Sequence, residues 1–138
     1  MAGISLIEVA ISMVILATAV GGIINGYIFT TTQAEWSAYS LAAHSLAVQR
    51  LEQARAAKWD PQAYPSVDRV IQANFPVTTG ILDVPRLGTN FVVATLTTTV
   101  RTVSANPPLK LIKVECRWPF MNRGWLTNSI ASYRAPDQ

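Results

Sequence analysis

The beginning of the chain is apolar on every side. From Val9 through Ala34 no residue is charged, and Val9-Ala10-Ile11, Met13 to Ala17 and Gly21 to Ile24 supply an apolar run of about the 20 residues that cross a bilayer as a helix. A buried helix of a soluble domain would carry one apolar stripe instead. Farther along, Ala34, Ala38, Leu41, Ser45, Val48 and Leu51 recur at spacings of three or four, while Glu35, Gln49, Glu52 and Arg55 occupy other faces. Nothing interrupts this pattern before Trp59-Asp60-Pro61, where the proline disfavours helical geometry in Asp60. One helix is therefore predicted, ending by about residue 59; from Ser5 to Lys58 it would be roughly 80 Å long.

The period then changes. Asp60 to Gly88 holds Pro61, Pro65, Pro76 and Pro85 and reads as a loop with short strands at Val67 to Gln72 and Phe75 to Thr78. Val92, Ala94, Leu96, Thr98 and Val100 alternate with more polar neighbours, as do Ile112, Val114, Cys116 and Trp118, the pattern of half-buried strands. Asn106-Pro107-Pro108 separates these two, Asn122-Arg123-Gly124 turns the chain again, and Trp125 to Tyr133 forms a last strand. The prediction is an α+β fold: a long N-terminal helix packed on a small antiparallel β meander whose apolar face lies on Leu41, Val48 and Leu51. Residues 1–3 are set apart as a leader, 4–59 as the helix, with 4–29 its membrane half, and 60–138 as the β domain.

Composition sharpens the division. The 138 residues suffice for one modest core, and every Lys and Arg lies at Arg50 or later, giving a net charge of +3. Residues 101–138 hold six cations against Glu115 and Asp137, a local +4 that could draw a polyanion. Cys116 is alone, so no intrachain disulfide forms, and its alternation with Val114 and Trp118 predicts a buried thiol. His44 has no second ligand at a metal spacing and reads as a surface or interface residue. With one His, one Cys, no phosphate loop and no nucleophile motif, no catalytic constellation can be written and no cofactor or metal is called for. Trp118, Phe120 and Trp125 flank the last hairpin turn, as an exposed contact tip or as hairpin packing.

Glu8 is the anomaly. A carboxylate at the end of such an apolar segment is costly without a partner, and the nearest Lys or Arg is Arg50. The cation must be an N-terminal amine, another subunit or lipid; the bland reading is favourable placement at the positive end of the helix dipole.

Gly3-Ile4-Ser5-Leu6-Ile7-Glu8-Val9, followed by the apolar run from Ala10 to Val20, resembles the class III signal of type IV pilins and pseudopilins. The resemblance implies cleavage after Gly3 by a prepilin peptidase, N-methylation of Ile4, and a Glu8 that neutralises the N-terminal amine of a neighbouring subunit. Ile4 stands where the family usually has Phe, and Met1-Ala2-Gly3 lacks the customary Lys or Arg, as for a short leader or a start farther upstream. The endings Lys110 to Trp118 and Ser129 to Pro136 are loosely similar to minor pseudopilins and accessory minor pilins. What this implies is a minor subunit that primes or caps a pilus or a type II secretion pseudopilus. It would be stored as a single-pass inner-membrane protein and end in a periplasmic or extracellular filament. Its partners would be the peptidase, sibling pilins, and a membrane platform with its assembly ATPase.

Gly21, Gly22 and Gly26 each cost about 1 kcal/mol relative to Ala in a helix. They mark a stretch expected to melt on assembly, or to pack closely against neighbouring helices. Three rivals remain. Ala17-Thr18-Ala19 resembles a conventional signal cleavage site, but no positive region precedes it and the apolar run continues past it. A DNA-uptake or adhesion pilin would use the basic strands with Trp118 or Trp125. An unprocessed single-pass anchor needs no role for Glu8.

Overall fold

The computed structural model describes residues 5–84 and 91–137. These form two compact units, Met1–Ser37 and Ala38–Gln138. A single helix, α1, runs through Leu6–Ala56, 51 residues. Ser5 stands just ahead of it, and its carbonyl accepts from the Glu8 and Val9 amides at 3.0 and 3.2 Å. Glu8 in the first turn and Arg55 in the last both oppose the helix dipole favourably. The helix stops ahead of Trp59-Asp60-Pro61, as the proline requires.

Among the described residues of the second unit six strands follow: β1 (Trp59–Asp60), β2 (Val67–Asp68), β3 (Thr78–Leu82), β4 (Val92–Ala105), β5 (Pro108–Pro119) and β6 (Trp125–Arg134). The first two pair with each other, and the others form one antiparallel sheet in the order β3-β4-β5-β6. Leu96 lies opposite Cys116, Thr98 opposite Val114 and Val100 opposite Ile112; across the next ladder Trp118 lies opposite Leu126 and Cys116 opposite Asn128. Alternation therefore places Ala94, Leu96, Thr98, Ile112, Val114, Cys116 and Trp118 on the buried face, as their period predicted. The loop region differs from expectation. Its strands are Val67–Asp68 and Thr78–Leu82, with a 3-10 turn at Gln72–Asn74 between them. Gly80 interrupts the β pattern at a close approach, where a Cβ would meet the Leu46 side chain at 3.2 Å and make that leucine give way.

The helix face on the sheet also differs. The buried residues of α1 are Tyr39, Ala43, Ala47, Leu51 and Ala54. Of the predicted stripe only Leu51 is buried, and Leu41 is 71% exposed. Bulk explains the shift: the sheet presents Leu96, Ile112 and Trp118, so close approach selects alanines opposite large side chains. Trp118 and Phe120 are core residues, and no exposed tip contains them. Their rings lie 5.7 Å apart and both pack on Tyr39, at 5.9 and 6.2 Å. Aromatic area of this size is stabilised most by burial, and the turn after Pro119 folds Phe120 back onto the helix side. Trp125 alone of the three is exposed, at 56%.

Polar side chains fasten the unit. Trp118 Nε1 donates to Asn128 Oδ1 at 2.8 Å, and Asn128 Nδ2 donates to the Ser40 hydroxyl at 3.0 Å, tying sheet to helix. Arg134 donates to the carbonyls of Ala54 and Ala57, satisfying the helix end, and holds Asp137 at 2.8 Å. Lys110 is buried, paired with Asp68, bonded to the Val70 carbonyl at 2.7 Å and seated over the Trp59 ring.

Candidate assembly site on the N-terminal helix

Within the first unit the apolar side chains face outward. Leu6 is 89% exposed and Ile7, Met13, Val14, Ile15, Leu16, Ile23 and Phe29 are all well exposed. This helix is long and apolar enough to span a membrane, and none of its most apolar stretch is buried within the protein.

Six polar side chains of the segment bond to their own helix. Ser12 Oγ donates to the Glu8 carbonyl at 2.8 Å, Thr18 to Val14 and Ile15, Asn25 to Gly21, and Thr30, Thr31 and Thr32 to carbonyls one turn back. Such back-bonding lets hydroxyl and amide groups sit in hydrocarbon at little cost. Glu8 is the charged residue among those without such a bond. Its carboxylate is exposed beside Val9, Ser12, Met13 and Leu16, and among the described residues no hydrogen bond or ion pair reaches it. Ser5 and Glu8 also have the Ser-x-x-Glu spacing that favours a helix start, a local signal the charge argument passed over.

Gly3 and Ile4 lie outside the described residues. Gly21, Gly22 and Gly26 are in unbroken helix, and among the described residues nothing beyond the adjoining helix backbone comes within 4 Å of where a Cβ would stand. No contact in the single chain explains three glycines there.

No family model matches this chain, and neither do the curated proteins or the solved structures searched. What stands is the architecture: a long apolar N-terminal helix whose later turns pack on an antiparallel sheet, compatible with a pilin-like fold.

The other predicted positions are scattered. His44 is exposed on α1, and among the described residues no cluster of metal-ligating side chains occurs. Cys116 is buried, and that burial pushes its thiol pKa up, which keeps it protonated and unreactive. The basic C-terminal strands are largely used internally: Lys110 and Arg134 hold the fold, and Lys113 pairs with Glu115 at 2.8 Å. Arg117 sits over the Trp125 ring at 5.0 Å. Asn128, Arg134 and Gln72 are structural residues that periodicity could not assign, although a polar Asn between Leu126 and Ile130 on one strand face was a visible sign.

Proposed function

We propose that this chain is a type IV pilin-like structural subunit, a minor component that primes or caps a pilus or type II secretion pseudopilus. One observation carries the reading: the Gly3 to Val9 motif leads into an apolar helix with its side chains outward, and Glu8 lacks a partner among the described residues. A carboxylate near the end of a membrane helix costs less than the roughly 3 kcal/mol it would cost at the centre, and is still relieved by a cation. An ammonium at a new N-terminus would carry a comparable penalty, so pairing the two across subunits rewards one register and penalises others.

In this account the apolar helix stores the chain in the inner membrane until the prepilin peptidase cuts after Gly3. Methylated Ile4 then meets the Glu8 of a neighbour as a platform and its ATPase extract the subunit. The alanine stripe holds the helix to the sheet, while Leu41 on another face stays available for sibling helices. The work is mechanical rather than catalytic. A nucleic-acid role draws less support, since Lys110, Lys113 and Arg134 are engaged within the fold.

Glu8→Gln and Glu8→Asp test the pairing. Both variants should reach the membrane and be processed; Gln should abolish co-sedimentation with filaments and Asp should retain part of it. Equal incorporation of Gln and the parent chain would remove the role given to Glu8.

A further inference from the structure

The two edges of the sheet are treated differently. Where β3 ends, the edge of β4 is closed by a side chain: Gln72 donates to the Thr98 carbonyl at 2.7 Å and accepts from the Val100 amide at 2.9 Å, imitating a strand. Those bonds also set the parity of the sheet. In antiparallel strands a residue's N–H and C=O point the same way, so the even residues of β4 face β3 and its odd residues face β5. Carried through both registers, the even residues of β6 bond to β5, and Trp125, Thr127, Ser129, Ala131 and Tyr133 present their backbone outward.

Among the described residues no strand or side chain closes that edge along its length. Ten residues without Pro or Lys, whose one charge, Arg134, is turned to the helix end, make an unguarded edge of the kind proteins normally blunt. By the same parity, Thr79 and Ile81 point outward from β3 at the opposite edge.

We infer that β6 takes the β3 edge of a second copy of this chain, joining the two sheets head to tail. Direction and charge both select this occupant. Strands alternate across the sheet, so the β3 of a copy in the same orientation runs antiparallel to β6 and pairs without turning either molecule over. A twofold antiparallel β6–β6 pair would run the α1 turns packed on the two sheets in opposite directions, and a parallel one would put them on opposite faces of the joined sheet. Continued level across the sheet, the register places Thr79 opposite Thr127 and Ile81 on Trp125, with the exposed Asp83 just past β3 and the exposed Arg123 just ahead of β6 at the same end of the seam. That is a hydroxyl pair, an aliphatic side chain on an indole, and an acid near a base. All lie on the solvent face, so both helices stay on the other side. Pairing this short is weak in solution and needs the high local concentration of a shared membrane or filament. The choice of the same-way pair rests on the filament reading.

The test uses the full chain in its native membrane, mixing Thr79→Cys copies with Thr127→Cys copies under a short thiol cross-linker; Cys116 is buried. The expected result is a mixed dimer, lost when Thr97→Cys, at the sheet centre, replaces Thr127→Cys. Asp83→Arg on the first copy should reduce the yield, and Arg123→Asp on the second should restore it. Thr127→Pro removes only an outward amide, so it should keep the fold, read by the buried Trp118 fluorescence, and abolish linkage between Ile81→Cys and Trp125→Cys. Thr127→Cys copies linking only to one another, or to a different polypeptide, or to nothing while the N-terminus is processed normally, would overturn the inference. Intact edge cross-links on an unprocessed chain would instead sink the filament reading alone.

Discussion

The two units spend the same kind of residue in opposite ways. Among the described residues from 38 on, one face of the sheet is turned inward, with Trp118, Ile112, Val114 and Phe120 almost wholly buried and alanines of α1 filling the space opposite. Residues 5–37 turn their large apolar side chains outward and bury almost none. The first region is folded by its own contacts; the second is helical by backbone bonding and awaits a surrounding that this chain does not provide. Substitutions should therefore separate cleanly, with core changes felt in folding and helix changes felt in assembly.

The largest effects should come from the two residues that define the regions. Trp118→Ala should destabilise the sheet unit by about 3–5 kcal/mol, measured by denaturant unfolding in detergent. Glu8→Gln should leave that unfolding within about 0.5 kcal/mol of the parent while blocking assembly. A Glu8 variant that weakened the fold would break the division. Next, Ala47→Leu should overpack the helix against the sheet and cost about 1–3 kcal/mol, whereas Ile15→Leu should be silent in the same assay.

A smaller effect concerns pH. The Trp59 amide at 2.8 Å and the Arg134 guanidinium hold the Asp137 carboxyl below its ordinary value. A depressed folded pKa contributes stability that is present above the unfolded value and is lost as pH falls through the lowered one. Asp137→Asn should therefore lower the melting temperature near neutral pH and converge with the parent in acid, seen in melts from about pH 7 down to about pH 2. The smallest effect sharpens the N-terminal region: amides of residues 20–27 should exchange faster in filaments than in membranes if the glycines melt on assembly. Equal protection in both would leave close helix packing as their role.

Much of this was legible from residue pattern. The helix end at Trp59-Asp60-Pro61, the buried alternation from Val92 to Val100 and from Ile112 to Trp118, and the burial of Cys116 all follow from local rules that the fold obeys. The helix face was misread because periodicity weighs large apolar residues, while packing against a bulky sheet selects Ala43, Ala47 and Ala54. Trp118 and Phe120 were ambiguous because their neighbour Tyr39 is remote in sequence. Gln72 and Arg134 act through backbone groups that only tertiary structure brings to them. For the candidate site the motif around Glu8 was visible, and no described part of this chain pairs with that carboxylate.

The central claim is that the chain is processed to expose Ile4 for pairing with Glu8. The most direct measurement is the intact mass and N-terminal peptide of the protein from its native membrane. The account predicts a mature chain that begins at N-methylated Ile4. A chain beginning at Met1, or after Ala19, would contradict it and leave a plain anchor or a secreted β domain.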